Sequence, residues 1–452
     1  MKNLQTEEIY ELYSRTSGVC TDTRSIVEGG MFFALKGETF NGNSFAQAAL
    51  DAGAAYAVVD EAWVEESNPD KFILVEDVLV ALQQISRYHR KRFRIPVIAL
   101  TGTNGKTTTK ELIAACLRKK YNVIATQGNL NNHIGVPLTL LRIDSSTQAA
   151  VIEMGASAPG EIDTLVKLVC PSFGLITNVG KAHLQGFGSF EGVMATKGEL
   201  YDNLQEHRKI AFVNVDNPIL SQMAVKRQNM HIVPYGLKND SARIVVDEGG
   251  SPFLTMVIPN PCFTAVNNEG KPEWITVRTN LIGGYNADNV LAALCVASYM
   301  DVSPDDAVAA IQEYVPSNNR SQLTKTERNS LIVDAYNANP TSMRAAIENF
   351  AALNMPGKVL MLGDMLELGA DSLQEHKGIL ALAAEKGFGK IFLVGSEFAA
   401  AAALVDMPGV ECSLFEDSFK LQELLKEKPL SGCSVLIKGS RGKRLERVIE
   451  AL

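Results

Sequence analysis

The chain has 452 residues, too many for one hydrophobic core of ordinary size, and several domains are expected. Hydrophobic residues make up 46% and charged residues 21%, a globular composition that excludes long disorder, fibrous repeats and a small disulfide scaffold. With 43 basic and 51 acidic side chains the net charge is −8, so neither nucleic acid nor an anionic membrane is expected as a partner, although a local anion site is compatible with that total.

Seven cysteines, at 20, 116, 170, 262, 295, 412 and 433, are dispersed without a CxxC pair, the pattern of core thiols in a reducing compartment. Residues 1–10 are acidic and lack an apolar segment, and no uncharged apolar run of about 18 residues follows, so a cytoplasmic protein is expected.

In chain order, residues 31–35 and 55–59 read as strands around an Ala-rich helix near 44–52, a small α/β unit. Asp77 caps a helix whose Val78, Leu79, Leu82 and Ile85 share a face, and its basic end, 87–94, reads as a solvated complement to the helix dipole, with an anion site as the alternative. Residues 96–101 form a nearly continuous apolar run, as in a buried parallel strand, and a glycine-containing turn then opens a helix over 107–118. Further strands at 149–153 and 174–178 make this a doubly wound sheet. Alternation at 242–246 and 254–258 predicts an antiparallel extension. From Arg320 onward, strands at 331–334, 359–363, 391–395 and 434–438 alternate with helices.

The expected fold class is therefore α/β with three domains. Residues 1–85 form a small N-terminal α/β domain, 86–314 a central doubly wound P-loop ATPase-like domain with an antiparallel extension, and 315–452 a C-terminal Rossmann-like domain.

The segment Thr101-Gly102-Thr103-Asn104-Gly105-Lys106-Thr107-Thr108 lies between strand and helix, where glycines let backbone N–H groups close around an anion. It is expected to cradle the phosphates of ATP. Lys106 would neutralise β/γ-phosphate charge and the Thr107 hydroxyl would ligate Mg²⁺. Leu100 stands where the general GxxxxGK[ST] pattern has glycine, so the loop is shorter than usual. Glu153, at a strand end beside the loop, is placed to hold Mg²⁺ against the γ-phosphate.

The shortened TGTNGKTT loop resembles that of the Mur ligase family, and the likeness extends over the whole chain. It implies an ATP-dependent ligase that joins an amine to a carboxylate by way of an acyl phosphate. A carboxylate oxygen is too poor a leaving group for direct displacement, so such an enzyme mainly supplies position and charge neutralisation. Within the resemblance, His183 of AHLQGFG matches a ligand of a second Mg²⁺ ion, and Lys197 of TKGE matches the lysine that takes up CO₂ as a carbamate. Asn286 and Asn289 of GGYNADN match the adenine segment, with Tyr285 in place of the usual His. Arg320 matches the arginine that reaches the nucleotide phosphates from the third domain, with Asn319 in place of the usual Gly, and Asp334 falls on the same side. The implied catalytic set is Lys106, Glu153, His183, Lys197 and Arg320.

The segments DAYNANPTSM (334–343), GDMLELG (363–369) with His376, and KGSR (438–441) are similar to those of the family branch that adds D-alanyl-D-alanine to a UDP-N-acetylmuramoyl-tripeptide. On that likeness Tyr336, Asn337, Asn339 and Asp364 serve the incoming dipeptide. Asn129 and Asn131 of GNLNNHIGVPLT, with Thr23 and Arg24 of TDTR and Lys36 and Gly37 of FALKG, serve the UDP substrate; Asn41 stands where Asp is typical. A monomer is expected, and the split of functional residues across two α/β units motivates a third domain that rotates as a rigid body between open and closed states. Two alternatives remain at this level: a folylpolyglutamate synthetase, which shares the phosphate loop without requiring a UDP-binding first domain, and a nucleotide-regulated binding protein that keeps the fold without ligating anything.

Overall fold

The computed structural model describes residues 5–65, 70–237, 243–245, 251–259, 274–317 and 320–452. Cys262 and Asn319 lie outside these residues, as do parts of the strand expected at 242–246.

The N-terminal sheet is parallel, ordered β1 (Val19–Cys20), β2 (Met31–Phe33), β3 (Tyr56–Val59), β4 (Phe72–Leu74). The expected strand at 31–35 ends early, yet Ala34 and Leu35 stay buried. The expected helix at 44–52 is a 3-10 turn, Gly42–Phe45, followed by the helix Ala46–Asp51. Asp77 does cap the helix Val78–Arg92, accepting from the Val80 N–H at 2.8 Å.

This helix runs unbroken across the expected domain division after residue 85. The reason lies at its C-terminal end. Arg90 is buried and donates to the carbonyls of Val169 (3.0 Å), Phe93 (2.7 Å), Cys170 (3.2 Å) and Ile95 (3.4 Å), while His89 sits 2.6 Å from the Ile143 carbonyl. Part of the basic run is thus a bolt between the first sheet and the second, rather than a solvated dipole complement.

The central sheet is fully parallel. Its strands are β5 (Val97–Thr101), β6 (Val123–Ala125), β7 (Ala149–Glu153), β8 (Phe173–Ile176), β9 (Ile210–Asn214) and β10 (His231–Tyr235), in the spatial order β10-β9-β8-β5-β7-β6. Strand β5 is buried along its whole length, as its unbroken apolar run requires. Strands β11 (Arg243–Val245), β12 (Phe253–Pro259) and β13 (Trp274–Ile282) form the antiparallel extension. Leu254, Met256, Val277 and Leu281 from it join one core with the helices Lys106–Arg118, Ala287–Tyr299 and Pro304–Glu313.

The C-terminal sheet runs β14-β15-β19-β16-β17-β18, from β14 (Gln322–Lys325), β15 (Ser330–Asp334), β16 (Lys358–Gly363), β17 (Lys390–Val394), β18 (Glu411–Phe415) and β19 (Ser434–Lys438). Only β14 is antiparallel to its neighbour. The edge strands β14 and β18 were absent from the sequence-based expectation, and both are short and half-exposed, with a weak apolar signal. No helix among the described residues is long and apolar enough to cross a membrane, and the six described cysteines are free.

Removing the Arg90 bolt orphans main-chain carbonyls in a buried site. Arg90→Ala is expected to lower unfolding stability by about 2–4 kcal/mol, read as a drop in the urea midpoint. An unchanged midpoint would contradict this role.

Candidate active site

The carboxyl ends of β5, β7 and β8 face a cavity of about 1060 Å³, where ligands of open α/β sheets are bound. Its floor is the turn between β5 and the helix Lys106–Arg118. Gly105 holds φ of +77° as the residue before the first helical turn, and a Cβ there would stand 2.6 Å from Asn289 Oδ1. Gly102, at φ +144°, is as tightly enclosed, and a Cβ there would meet Thr177 Oγ1.

The turn is pinned from three directions. Asn104 N–H donates to Asn178 Oδ1 (2.9 Å), and its carbonyl accepts from Thr177 Oγ1 (2.6 Å) and Asn178 Nδ2 (3.0 Å). Thr103 N–H donates to the Asn178 carbonyl at 3.0 Å. From the C-terminal sheet, Asn339 caps the helix Pro340–Ala352 through the Ser342 N–H, and its Nδ2 donates to Asn104 Oδ1 at 2.7 Å. Thr177 and Asn178 escaped the sequence reading as shapers of this loop. Their signal was there, a polar pair closing an apolar strand beside the loop.

Thr107 and Glu153 are both buried, and the hydroxyl donates to Glu153 Oε2 at 3.0 Å. The other carboxylate oxygen accepts from Asn131 Nδ2 at 2.8 Å. Asn131 therefore rests on the Glu153 carboxylate through its Nδ2, and both it and Asn129 line the cavity. Among the described residues no group of three or more His, Cys, Asp or Glu could hold a metal. The Thr107–Glu153 pair nevertheless fits Mg²⁺, which takes few protein oxygens and keeps the rest of its octahedron for water and phosphate.

Lys106 folds over the turn, donating to the carbonyls of Gly102 (2.7 Å) and Thr103 (3.1 Å). Burial lowers its pKa, Glu153 opposes that effect and Arg320 adds to it. Lys197, on the helix Phe190–Glu206, is 2% exposed, donates to the Ala156 carbonyl at 3.4 Å and lies 5.3 Å from the centre of the Phe187 ring. Burial, then the Lys106 ammonium, push its pKa down to about 7, against opposing Glu161 and Glu199. His183 has a left-handed backbone and lies against the Glu367 carboxylate of the third domain. Burial lowers its pKa despite that carboxylate.

Asn289 donates to Asn286 Oδ1 (2.9 Å) and accepts from Thr109 Oγ1 (2.9 Å), while Asn286 Nδ2 donates to the Ile282 carbonyl (2.8 Å). Both line the cavity, but their amides are engaged in fastening one helix start to the other. Tyr285 reaches Ser321 of the third domain at 2.7 Å. Arg320 stacks on Tyr336, its guanidinium carbon 3.8 Å from the ring centre, and its buried Nε has no partner. Asp334 is held by Lys438 at 2.5 Å and accepts from the Ser321 N–H. Asn337 lines the cavity beside Tyr336.

Several expected residues lie elsewhere. Asp364 is fully buried, bonded to Lys443 Nζ (2.7 Å) and accepting from the Phe398 N–H (2.9 Å), so it anchors a helix start rather than meeting a dipeptide. This corrects its expected place. Thr23 and Arg24 form a 3-10 turn in the first unit, with the exposed Arg24 held by Asp22 at 2.6 Å. Lys36 pairs with Asp60 (2.8 Å) and Glu61 (3.2 Å), and Gly37 lies under the Phe40 ring. None of these four lines the central cavity.

Three family models match the chain in series: "Mur ligase family, catalytic domain" over residues 15–90, "Mur ligase middle domain" over 100–297 and "Mur ligase, glutamate ligase domain" over 319–441. A UDP-N-acetylmuramoyl-tripeptide--D-alanyl-D-alanine ligase of Bacillus subtilis is 37% identical over 441 residues, covering 96% of this chain and 93% of its own. The chain belongs to the Mur ligase family. The Escherichia coli ligase of the same name is 34% identical, with 96% and 93% covered. Among solved Mur ligase structures, MurF from Acinetobacter baumannii matches with a TM-score of 0.82 at 28% identity, over 100% of this chain and 98% of that one. MurF of Thermotoga maritima in complex with ADP gives 0.80 at 27%, over 96% and 97%. A folylpolyglutamate synthase of Mycobacterium tuberculosis shares the fold alone, at 14% identity and a TM-score of 0.60, over 82% of this chain and 94% of that one.

Since a Cβ at Gly105 would run into the Asn289 amide, Gly105→Ala should displace the loop. ADP binding measured by calorimetry is expected to weaken at least about tenfold, the effect of about 1–3 kcal/mol of backbone strain. An affinity within twofold of the parent would contradict the assignment of this turn.

Proposed function

We propose that the chain is the ATP-dependent ligase that adds D-alanyl-D-alanine to the terminal carboxylate of UDP-N-acetylmuramoyl-tripeptide, making a peptidoglycan precursor. The observation that carries this reading is the meeting, in one cavity, of the phosphate-loop helix start, the Thr107–Glu153 oxygen pair, and Arg320 and Tyr336 from the C-terminal sheet. Phosphoryl transfer and amine attack both demand such convergence, because the reacting groups come from separate substrates.

Residues 102–108 wrap the triphosphate with backbone N–H groups, and Lys106 swings from the loop carbonyls onto its outer oxygens. Arg320, whose Nε lacks a partner, reaches the same phosphates from the third domain. The tripeptide carboxylate attacks the γ-phosphorus, giving an acyl phosphate and ADP. The dipeptide amine then adds to the acyl carbon, and the tetrahedral intermediate expels phosphate. No protein nucleophile is needed. Asn286 and Asn289 border the adenine end, with Asp334 on the facing sheet. The first unit, with Thr23, Arg24, Lys36 and Gly37, takes the UDP end, and Asn129 lies on the path between them.

Mg²⁺ at Thr107 and Glu153 would neutralise phosphate charge, and a second ion would draw on His183 and a carbamylated Lys197. A lysine held to about 7 is largely neutral at pH 8, the form that attacks CO₂. Raising pH through 7 therefore frees the amine, and the carbamate would set an anion near Lys106, whose ammonium is among the groups that lower the Lys197 pKa.

The decisive assay offers ATP, D-alanyl-D-alanine and the tripeptide nucleotide containing diaminopimelate or lysine, and reads ADP release with product mass. A pentapeptide nucleotide is expected. Lys197→Ala should lose most activity and recover part of it with a short carboxylic acid. ADP release without a joined product would sink the reading, and full activity in untreated Lys197→Ala would remove the carbamate.

A further inference from the structure

The dipeptide acceptor proposed above carries two ends of different chemistry, an amine that must reach the acyl phosphate and a carboxylate that must not. The carboxylate needs a cation inside the cavity that is not already committed. Lys106 is bound to loop carbonyls and faces the phosphates, Lys438 is paired with Asp334, and nearby Lys443 is paired with Asp364. Arg320 lies flat on Tyr336 on the phosphate side.

Of the lysines and arginines on the cavity wall among the described residues, Arg441 is the one that remains. It is exposed to the cavity. Among the described residues its side chain donates a hydrogen bond from Nη1 to the Tyr336 hydroxyl at 3.4 Å, and its guanidinium carbon lies 5.3 Å from the ring centre. Among the described residues no carboxylate approaches it within ion-pair distance. Tyr336 thus carries two guanidiniums, Arg320 on its face and Arg441 near its hydroxyl end, and two cations about one ring leave a positive field that favours an anion.

The base of Arg441 is fixed. Ser440, just before it, accepts from the Leu366 N–H at 3.0 Å and donates to the Ala338 carbonyl at 3.4 Å, tying together the loops after β19, β16 and β15. Leu366 lines the same wall although it is 41% exposed, an apolar surface next to an unpaired guanidinium. Small methyl side chains flanking a carboxylate match that pairing of surfaces.

We propose that Arg441, seated on Tyr336 beside Leu366, is the carboxylate-binding group for the C-terminal end of the incoming dipeptide. This rests on the ligase reading. Its planar fork receives the two carboxylate oxygens side by side, turning the amine toward the phosphate loop. The site selects acceptors with a free C-terminus.

The test compares D-alanyl-D-alanine with D-alanyl-D-alaninamide, which lacks the negative charge, by initial rates of ADP release and by product mass. The parent enzyme is expected to show a KM for the amide higher on the order of 10- to 100-fold, the range of a charge-assisted hydrogen-bonded pair. Arg441→Gln should raise KM for the dipeptide by a similar factor and abolish the discrimination, with KM for ATP and for the tripeptide nucleotide within about threefold of the parent. Arg441→Lys, which keeps the charge without the fork, should fall between. Intact discrimination in Arg441→Gln, or a rise in the KM for ATP instead, overturns the subsite while leaving the ligase reading standing. No joined product from the parent with either acceptor overturns both.

Discussion

A triphosphate brings several negative charges to one point, and the architecture is organised around holding them there. The turn that receives them has left-handed or extended glycines at both ends, closed by Thr177 and Asn289 so tightly that neither glycine tolerates a Cβ. Asn178 fixes its middle through two side-chain hydrogen bonds, and Asn339 reaches it from another sheet. The backbone N–H groups are therefore aimed before a ligand arrives, so little reorganisation is required when charge moves during phosphoryl transfer.

The electrostatics follow from the same arrangement. Lys106 and Lys197 are buried near one another, and each is pushed toward its neutral form by burial and by other cations. Such a site is destabilised when empty and relieved by anions, whether phosphate oxygens or a carboxylate. Two arginines gathered on Tyr336 extend the positive region into the third unit. Contacts between the second and third units, including Lys181 with Glu375 at 2.7 Å and His183 with Glu367, hold these cations over the phosphate loop.

Much of this was legible in the sequence where local chemistry dictates geometry. An unbroken apolar strand, two glycines, a lysine and a threonine have few other arrangements, and Thr107 and Glu153 were paired by the parallel order of β5 and β7. What was hidden depends on long-range contact. Asp364 looks like a cavity acid in a motif, but its carboxylate is consumed by Lys443 and the Phe398 N–H. Asn131, on the same cavity wall, also steadies Glu153, a contact that no local pattern announces. The helix end at Arg90 reads as a solvated charge run, yet the carbonyls it binds lie some eighty positions away or beyond its own helix. Even the branch-specific segments of the third unit mark their functional surface only once Ser440 is seen joining three loops.

The central claim is that the outermost phosphoryl group passes to the bound carboxylate. Turnover with a tripeptide nucleotide whose terminal carboxylate carries ¹⁸O tests it most directly, by the mass of the phosphate released. One ¹⁸O atom in the inorganic phosphate, with none in the ADP, is the predicted result. Unlabelled phosphate, or label appearing in AMP, would contradict the account.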